Sequence, residues 1–219
     1  MKVAVFSDVH GNLPALECFI AATLGTVDAY LCLGDVVNYG PWSDECVDRV
    51  LDLPHITLLE GNHERLFLGT EDPSHEPPLV QAFVAHLRPT FTRIDRIANL
   101  PVRARLGPFE CVHTIDDRTI YADTAVEINQ NYLIGHTHHQ YAIERSRFAI
   151  LNPGSIGQNR KWIDRVDYML FDTDSGGWMF HSEPYNFELV FAELRARRYP
   201  EACLAYYAGK PEWRLVVGP

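Results

Sequence analysis

Acidic, amide and imidazole side chains occur in five short clusters of the sequence, and each cluster follows an apolar run. The clusters are SDVHGN from residue 7, LGDVVNYG from residue 33, LEGNHER from residue 59, CVHTIDD from residue 111 and LIGHTHH from residue 133. Side chains of these types bind metal ions and transfer protons. Because ligands of open α/β sheets bind beyond the carboxyl ends of the strands, the placement of the clusters favours one shared site.

Metal binding is the chemistry that these residue types favour. Asp8 and His10 are two residues apart, so in an extended segment both side chains project to one side and can hold the same ion. The three imidazoles of LIGHTHH are costly at a strand end unless something binds them, although we expect His139 to point away. A mixed set of oxygen and nitrogen ligands suits manganese, iron, zinc, cobalt or nickel, whereas calcium prefers oxygen ligands alone.

Each of the other clusters also has a structural explanation. Asn12 can cap a helix, Asp35 can start a turn, and His113 can be a structural histidine at a strand end. Residues 59–65 can combine a helix cap with a solvated charge run. The metal interpretation depends on the five clusters together, since all of these explanations would have to hold at once.

The composition is that of a soluble globular protein, since 47% of the 219 residues are hydrophobic and 22% are charged. Every apolar run is shorter than the roughly 18 residues of a membrane helix, and the first residues lack the pattern of a secretory signal. The five cysteines are scattered without a CxxC pair, which is typical of reduced thiols. We therefore expect a cytoplasmic protein without a membrane partner.

The formal charge of −10 disfavours binding to nucleic acid and suits a protein that binds cations.

Apolar patterns predict the elements that would position these clusters. Strands at 2–6, 29–33 and 56–59 alternate with helices at 12–24 and 43–51, which is typical of right-handed βαβ units on a mostly parallel sheet. Helical spacing interrupted by Pro89 predicts two helices between residues 77 and 100. Seven short runs between residues 102 and 181 predict strands of a second sheet, and residues 186–207 return to helical spacing.

No linker rich in glycine or serine divides the chain, so we predict a single domain over residues 1–219. It would comprise a βαβαβ half at 1–60, a helical section at 61–100, a second-sheet half at 101–184 and C-terminal helices at 185–219. The two sheets would stack together with the helices outside.

The order of the motifs resembles that of the calcineurin-like metallophosphoesterases. The motifs are DxH at 8–10, GD at 34–35, GNHE at 61–64, a strand-end histidine at 113 and GHTH at 135–138, and NPGSIG at 152–157 is similar to the compact bacterial and archaeal branch. The resemblance implies a four-layer α/β/β/α sandwich of two mixed sheets with flanking helices, which holds two metal ions between the sheets. One departure is Thr114, since the family usually has glycine after the histidine of the fourth cluster.

The resemblance also implies a role for each matching residue. One ion would be held by Asp8, His10 and His138, the other by Asn62, His113 and His136, with Asp35 as a bridge. Asp35 suits this role because a carboxylate offers two oxygens, whereas an imidazole offers one neutral nitrogen. His63 would be the catalytic histidine near the scissile phosphate and not a metal ligand.

The implied activity is the hydrolysis of a phosphate mono- or diester by a hydroxide that two metal ions share. The acidic charge favours a small soluble substrate, such as a nucleotide or a phosphometabolite. Asn12, at a predicted helix start, and Arg160, in the loop after NPGSIG, are further candidates for contact with the substrate phosphate. For Arg160, an ordinary surface position is the alternative.

Two other functions remain open at this point. A protein-binding scaffold of the same fold would lack the catalytic histidine, so the presence of His63 favours the enzyme. A nuclease would need a basic track along its surface. The only dense basic cluster is formed by Arg195, Arg197 and Arg198, and a solvated helix face explains it more simply.

Overall fold

The computed structural model describes residues 1–145 and 147–213 and contains two five-stranded sheets. The strands in chain order are β1 (Lys2–Phe6), β2 (Ala29–Cys32), β3 (Ile56–Leu58), β4 (Arg103–Leu106), β5 (Phe109–Val112), β6 (Asn131–Leu133), β7 (Gln140–Arg145), β8 (Phe148–Pro153), β9 (Arg165–Asp172) and β10 (Trp178–Pro184). The helices are α1 (Leu13–Thr23), α2 (Ser43–Leu51), α3 (Asn62–Leu68), α4 (Pro78–Leu87), α5 (Ile94–Ile97), α6 (Glu188–Ala196) and α7 (Glu201–Ala208), with short 3-10 turns at Pro73–His75 and Arg88–Thr90. Within the described residues, none of these helices is long and apolar enough to cross a membrane.

Both sheets combine parallel and antiparallel strands. The first sheet has the order β10-β9-β1-β2-β3, and the second has the order β4-β5-β6-β8-β7. The strands β1, β2 and β3 are parallel, as their βαβ connections require, while β9 is antiparallel to β1 and β10 is antiparallel to β9. In the second sheet, β5, β6 and β8 are parallel. The ends of the parallel strands bring the loops that follow them to one edge of each sheet.

Three apolar clusters define the layers of the fold. Between the sheets, Val5 and Leu31 of the first sheet pack with Leu133 of the second. On its other face, the first sheet is covered by α1, α2, α4, α6 and α7. The outer face of the second sheet is covered by the irregular segment 114–130, which contributes Ile120. The predicted sandwich of two mixed sheets with flanking helices is confirmed, and its outermost layer over the second sheet contains no helix among the described residues.

The last two strands join a different sheet from the one that we predicted. The assignment of the runs near residues 168–172 and 178–181 to the second sheet is wrong. β9 pairs with β1, with Val3 opposite Phe171, and β10 completes the same edge of the first sheet. A local apolar pattern indicates a strand, but it does not identify the partner, and here the partner lies at the other end of the chain.

The helices also differ from the prediction in two places. The predicted helical section at 61–100 includes α3, but the sequence pattern gives no bounds for this helix, because its first residues are the polar ones of the NHE motif. After Pro89, the second predicted helix is reduced to the single turn of α5. The division of the chain into one domain stays a prediction, and its last residues, 214–219, lie outside the described part.

Candidate metal centre

Six of the seven predicted ligands lie on loops that follow strands, while Asn62 begins α3, and five of the loop residues have an unusual backbone conformation. The torsion φ lies in the left-handed region at Asp8 (+56°), His10 (+51°), Asp35 (+59°), His136 (+69°) and His138 (+59°). This conformation costs a non-glycine residue roughly 1–2 kcal/mol, and such residues cluster at functional sites. Their concentration in these loops therefore indicates that the loops are held in place for a function.

Backbone hydrogen bonds join the first two of these loops. The N–H of Asp8 donates to the carbonyl oxygen of Gly34 at 3.0 Å, and the N–H of His10 donates to that of Asp35 at 3.0 Å. The third loop lies equally close, since a Cβ atom on Gly34 would lie 2.7 Å from the backbone nitrogen of Gly61. Glycine at position 34 therefore allows the loops to pack together directly.

Glu64 fastens the loop of Asp35 to the start of α3. Its fully buried carboxylate accepts hydrogen bonds from the backbone N–H groups of Asp35 (2.8 Å), Val36 (2.7 Å) and Gly61 (2.8 Å). Burial and the nearby Asp35 carboxylate raise the pKa of Glu64 to about 7, and the backbone hydrogen bonds oppose this rise because they favour the ionised form. Sequence reasoning missed this role of Glu64. Its place in the GNHE motif was visible, but the donors are backbone groups of another loop.

The two central carboxylates have oxygens that no described protein group satisfies. Asp8 Oδ1 and Asp35 Oδ2 are buried and accept no hydrogen bond. Asp8 Oδ1 lies 3.3 Å from Nε2 of His138, and Asp35 Oδ2 lies 3.1 Å from Nε2 of His113. Because a buried charge without a partner is costly, these oxygens fit a bound cation.

Three imidazoles direct Nε2 toward these carboxylates. Each directs Nδ1 to a backbone carbonyl oxygen at 2.8–3.1 Å: His10 to Val37, His113 to Leu33 and His138 to Gln158. A carbonyl oxygen only accepts, so in the neutral ring Nδ1 carries the proton and Nε2 keeps its lone pair. The Nε2 atoms of His10 and His138 lie 3.0 Å apart, and two lone pairs that face each other suit a shared cation.

The structure brings all seven predicted ligands together in two adjacent groups. Potential ligand atoms lie within 4.8 Å of one another in the group of Asp8, His10 and His138 and in the group of Asp35, His113 and His136. Asn62 joins the second group, because its Oδ1 lies 3.1 Å from Nε2 of His113 and 3.1 Å from Nδ1 of His136. His136 therefore faces the site with Nδ1, while its Nε2 lies 3.0 Å from Oγ1 of Thr119.

The pKa values of His113 and His136 shift in opposite directions. Burial acts to lower the pKa of His113, but the neighbouring Asp35 carboxylate outweighs it and raises the pKa to about 9. At His136, burial prevails with a further contribution from His113, and the pKa falls to about 4. The surroundings of Asp35 thus favour positive charge, which a metal ion would supply.

His63 lies at the edge of this cluster. Its Nε2 is 3.8 Å from Asp35 Oδ2, so it forms a further possible metal-binding group with His10 and Asp35. Its Nδ1 lies 2.8 Å from the side-chain nitrogen of Asn38. With the amide nitrogen of Asn38 toward the ring, Nδ1 of His63 accepts and Nε2 carries the proton, and the amide oxygen of Asn38 is left without a hydrogen bond. Burial lowers the pKa of His63, and the nearby Asp35 carboxylate opposes this effect.

A cavity of about 820 Å³ opens onto the cluster and is lined by His63, His136, His138 and Arg160 among other residues. His139 also lines it and belongs to none of the metal groups of the described residues; its ring packs against that of Tyr121, with centroids 5.9 Å apart. Because Arg160 lines this cavity, its position is compatible with the predicted contact to a substrate.

Asn12 has a different position from the one that substrate contact requires. Its side chain is fully buried and caps α1 by accepting a hydrogen bond from the N–H of Ala15 at 3.1 Å. Its amide nitrogen donates to the carbonyl of Gly157 at 3.0 Å and to the hydroxyl of Tyr185 at 2.9 Å. With both amide protons engaged, the predicted contact between Asn12 and a phosphate does not fit, and the helix cap explains the residue.

Comparisons with known proteins point to one family. A family model described as the calcineurin-like phosphoesterase superfamily domain matches residues 1–176. An uncharacterized protein of Methanocaldococcus jannaschii is 23% identical over 235 residues, which cover 91% of this chain and 94% of that protein. The match therefore extends over almost the whole of both chains.

Solved structures show the same fold. A metallophosphoesterase from Sphaerobacter thermophilus is 25% identical with a TM-score of 0.74, and the alignment covers 95% of this chain and 98% of that one. A hypothetical protein from Pyrococcus horikoshii OT3 is 16% identical with a TM-score of 0.75, and the alignment covers 93% of this chain and 96% of that one. Each alignment thus extends over more than nine tenths of this chain.

Proposed function

The chain belongs to the calcineurin-like phosphoesterase superfamily, and from this premise we propose that it hydrolyses a phosphate mono- or diester with two bound metal ions. The observation that carries the proposal is the pair of buried carboxylate oxygens, Asp8 Oδ1 and Asp35 Oδ2, which lack a hydrogen bond and face imidazole nitrogens. Their donor set of oxygen and nitrogen suits manganese, iron, zinc, cobalt or nickel.

In this proposal, each ion has its own ligands and Asp35 connects the two sets. Asp8, His10 and His138 hold one ion, and Asn62, His113 and His136 hold the other. Asp35 Oδ2 lies 3.1 Å from Nε2 of His113 and 3.9 Å from Nε2 of His10, which belong to different sets. Its other oxygen, Oδ1, accepts a hydrogen bond from the N–H of His63 at 2.9 Å and so keeps the carboxylate oriented.

The bound ions would lower the pKa of a coordinated water and offset negative charge on the phosphoryl group during in-line displacement. His63 holds a proton on Nε2 because Asn38 donates to its Nδ1. From this position His63 donates a hydrogen bond to the phosphoryl group or to the leaving oxygen, a role typically worth about 100- to 10,000-fold in rate. Arg160 attracts the anionic substrate into the cavity.

Metal analysis of purified protein tests the first half of this proposal. After supplementation with manganese and removal of excess metal, elemental analysis should show up to two ions per chain. Asp35→Asn should reduce this number because it removes one negative charge from both ligand sets. Asp52→Asn, at an exposed position after α2, is the matched control and should leave the metal content unchanged. Folded, supplemented protein without bound metal would refute the assignment.

Hydrolysis of p-nitrophenyl phosphate and bis(p-nitrophenyl) phosphate tests the second half. We expect turnover of at least one of the two with manganese, and the preferred substrate distinguishes a monoesterase from a diesterase. Protein that binds metal but shows no turnover across a panel of metals and pH values would favour the protein-binding alternative over the enzyme.

A further inference from the structure

Arg160 is a half-buried cation on the cavity wall, and no carboxylate of the described residues forms an ion pair with it. Its guanidinium instead donates to the hydroxyl of Tyr206 and lies 6.0 Å from the centre of that ring. The other arginine of the wall, Arg65, is paired with Glu71 at 2.9 Å and with Asp117 at 3.3 Å. In a chain with a formal charge of −10, a half-buried arginine without a carboxylate partner is available for an anionic ligand.

Lys210 brings a second positive charge to the same aromatic ring. Its Nζ lies 4.3 Å from the centre of the Tyr206 ring, and among the residues that the structure describes it has no carboxylate partner either. Burial and the charge of Arg160 lower the pKa of Lys210 to about 8. Two cations around one ring repel each other, and an anion that contacts both would offset this repulsion.

Tyr39 connects this pair of cations to the metal ligands. Its ring centroid lies 4.7 Å from that of His10 and 6.1 Å from that of Tyr206. The backbone N–H of Arg160 donates to the carbonyl oxygen of His138 at 3.4 Å. Arg160 and Tyr39 line the same cavity as His63 and His138, and Lys210 adjoins this wall through the ring of Tyr206. An anion that Arg160 holds therefore lies in the cavity of the metal ligands.

We propose that Arg160 and Lys210 form a subsite for a second phosphoryl group of the substrate, next to the group that is hydrolysed. This inference rests on the proposed function and narrows the substrate class to phosphoesters that carry a further phosphate, such as nucleoside diphosphates. The loss of one charge-assisted hydrogen bond to a phosphate typically weakens binding about tenfold or more.

Calorimetric titration of the metal-free protein with pyrophosphate tests the subsite without any catalysis. Arg160→Met and Lys210→Met should each weaken pyrophosphate binding about tenfold. Lys161→Met is the matched control, because it removes the same charge from the residue next to Arg160, but its ammonium lies by the ring of Trp162, at 5.9 Å. Pyrophosphate binding that is unchanged in both test variants would overturn the proposal.

A kinetic comparison with manganese distinguishes the second phosphoryl group from the first. Lys210→Met should raise the KM for a nucleoside diphosphate at least five times more than the KM for p-nitrophenyl phosphate, which has a single phosphate. An equal rise for both substrates would overturn the subsite, since it would place Lys210 at the scissile group. If nothing is hydrolysed but pyrophosphate binding still depends on Arg160 and Lys210, the proposed function fails, while these two residues still form a phosphate-binding site.

Discussion

The hydrogen bond from Asn38 to Nδ1 of His63 decides which nitrogen of that imidazole carries a proton. Asn38 adopts φ of +75°, a conformation that asparagine tolerates better than most residues. Its side-chain amide thereby reaches a ring that belongs to the next loop. In the proposed mechanism, Asn38 is therefore a positioning residue, because it would act on the substrate only through His63.

We expect His63→Ala to lower kcat about 100- to 10,000-fold while the metal content stays the same. Asn38→Gly, which keeps the left-handed backbone accessible, should lower kcat by roughly tenfold through loss of one hydrogen bond. The double variant should be no slower than His63→Ala, because the two residues act as a unit. Steady-state kinetics of the three variants measure this, and additive losses would assign Asn38 a separate role.

We expect Glu64→Gln to lower the free energy of unfolding by about 1–3 kcal/mol, since a neutral amide cannot accept all the backbone hydrogen bonds of this carboxylate. Metal affinity should fall as well, because the loop of Asp35 loses its anchor. Urea denaturation and a manganese titration give the two quantities. Glu45→Gln, on the exposed face of α2, serves as the control, and equal effects in both variants would contradict the role of Glu64.

The residues of the proposed site could be singled out from the sequence, whereas their supporting residues could not. Asp8, His113 and His138 belong to polar clusters that follow apolar runs, and the family resemblance supplies the predicted role of each. Glu64 and Asn38 act through a backbone N–H group and a ring nitrogen of other loops, so their roles depend on the folded contacts. Asn12 shows the opposite case, since its residue type fits both a cap and a phosphate contact and only its burial decides between them.

At the scale of the elements, the site depends on how closely three strand-to-helix loops approach. A Cβ atom on Gly61 would lie 2.6 Å from the backbone nitrogen of Asp35 and would collide with its carboxylate. We expect Gly61→Ala to weaken manganese binding more than tenfold by displacing Asp35. Gly25→Ala introduces a methyl group into open space after α1 and should cost stability at its φ of +78° without changing metal affinity. A manganese titration of both variants checks this, and equal affinities would show that the loops can separate without harm to the site.

Helices and strands could be predicted where their sequence signals lie within the element itself. The helix at Ser43–Leu51 and the strand at Lys2–Phe6 have the predicted bounds, because their apolar spacing and flanking turn residues suffice. The pairing of β9 with β1 depends on two segments from opposite ends of the chain, which no window of the sequence contains. The bounds of α3, inside the predicted helical section at 61–100, could not be predicted, because polar residues occupy its first turn.

At the scale of the whole molecule, the proposed ligands connect the two sheets. Asp8 and Asp35 follow strands of the first sheet, and His113 and His136 follow strands of the second. A ligand that binds only the folded chain stabilises it, by about 2.7 kcal/mol at a concentration of 100 times Kd. For a chain of this size that corresponds to a rise in Tm of roughly 5–10 °C.

We therefore expect manganese to raise Tm by roughly this amount and a chelator to reverse the rise. Differential scanning calorimetry of the same sample before and after chelation gives the measurement. Asp35→Asn should show a smaller shift, while Asp52→Asn should match the unmodified protein. An identical Tm with and without saturating manganese would contradict binding at a site that joins the sheets.

The position of β1 between β2 and β9 determines when this strand can complete its pairing as the chain is synthesised. A nascent polypeptide that ends before Arg165 can complete the pairing of β1 with β2, but the opposite edge of β1 has no partner until the last third of the chain leaves the ribosome. An apolar strand with an open edge is prone to intermolecular pairing. Translation of the final segment is thus the step that protects the N-terminal strand from aggregation.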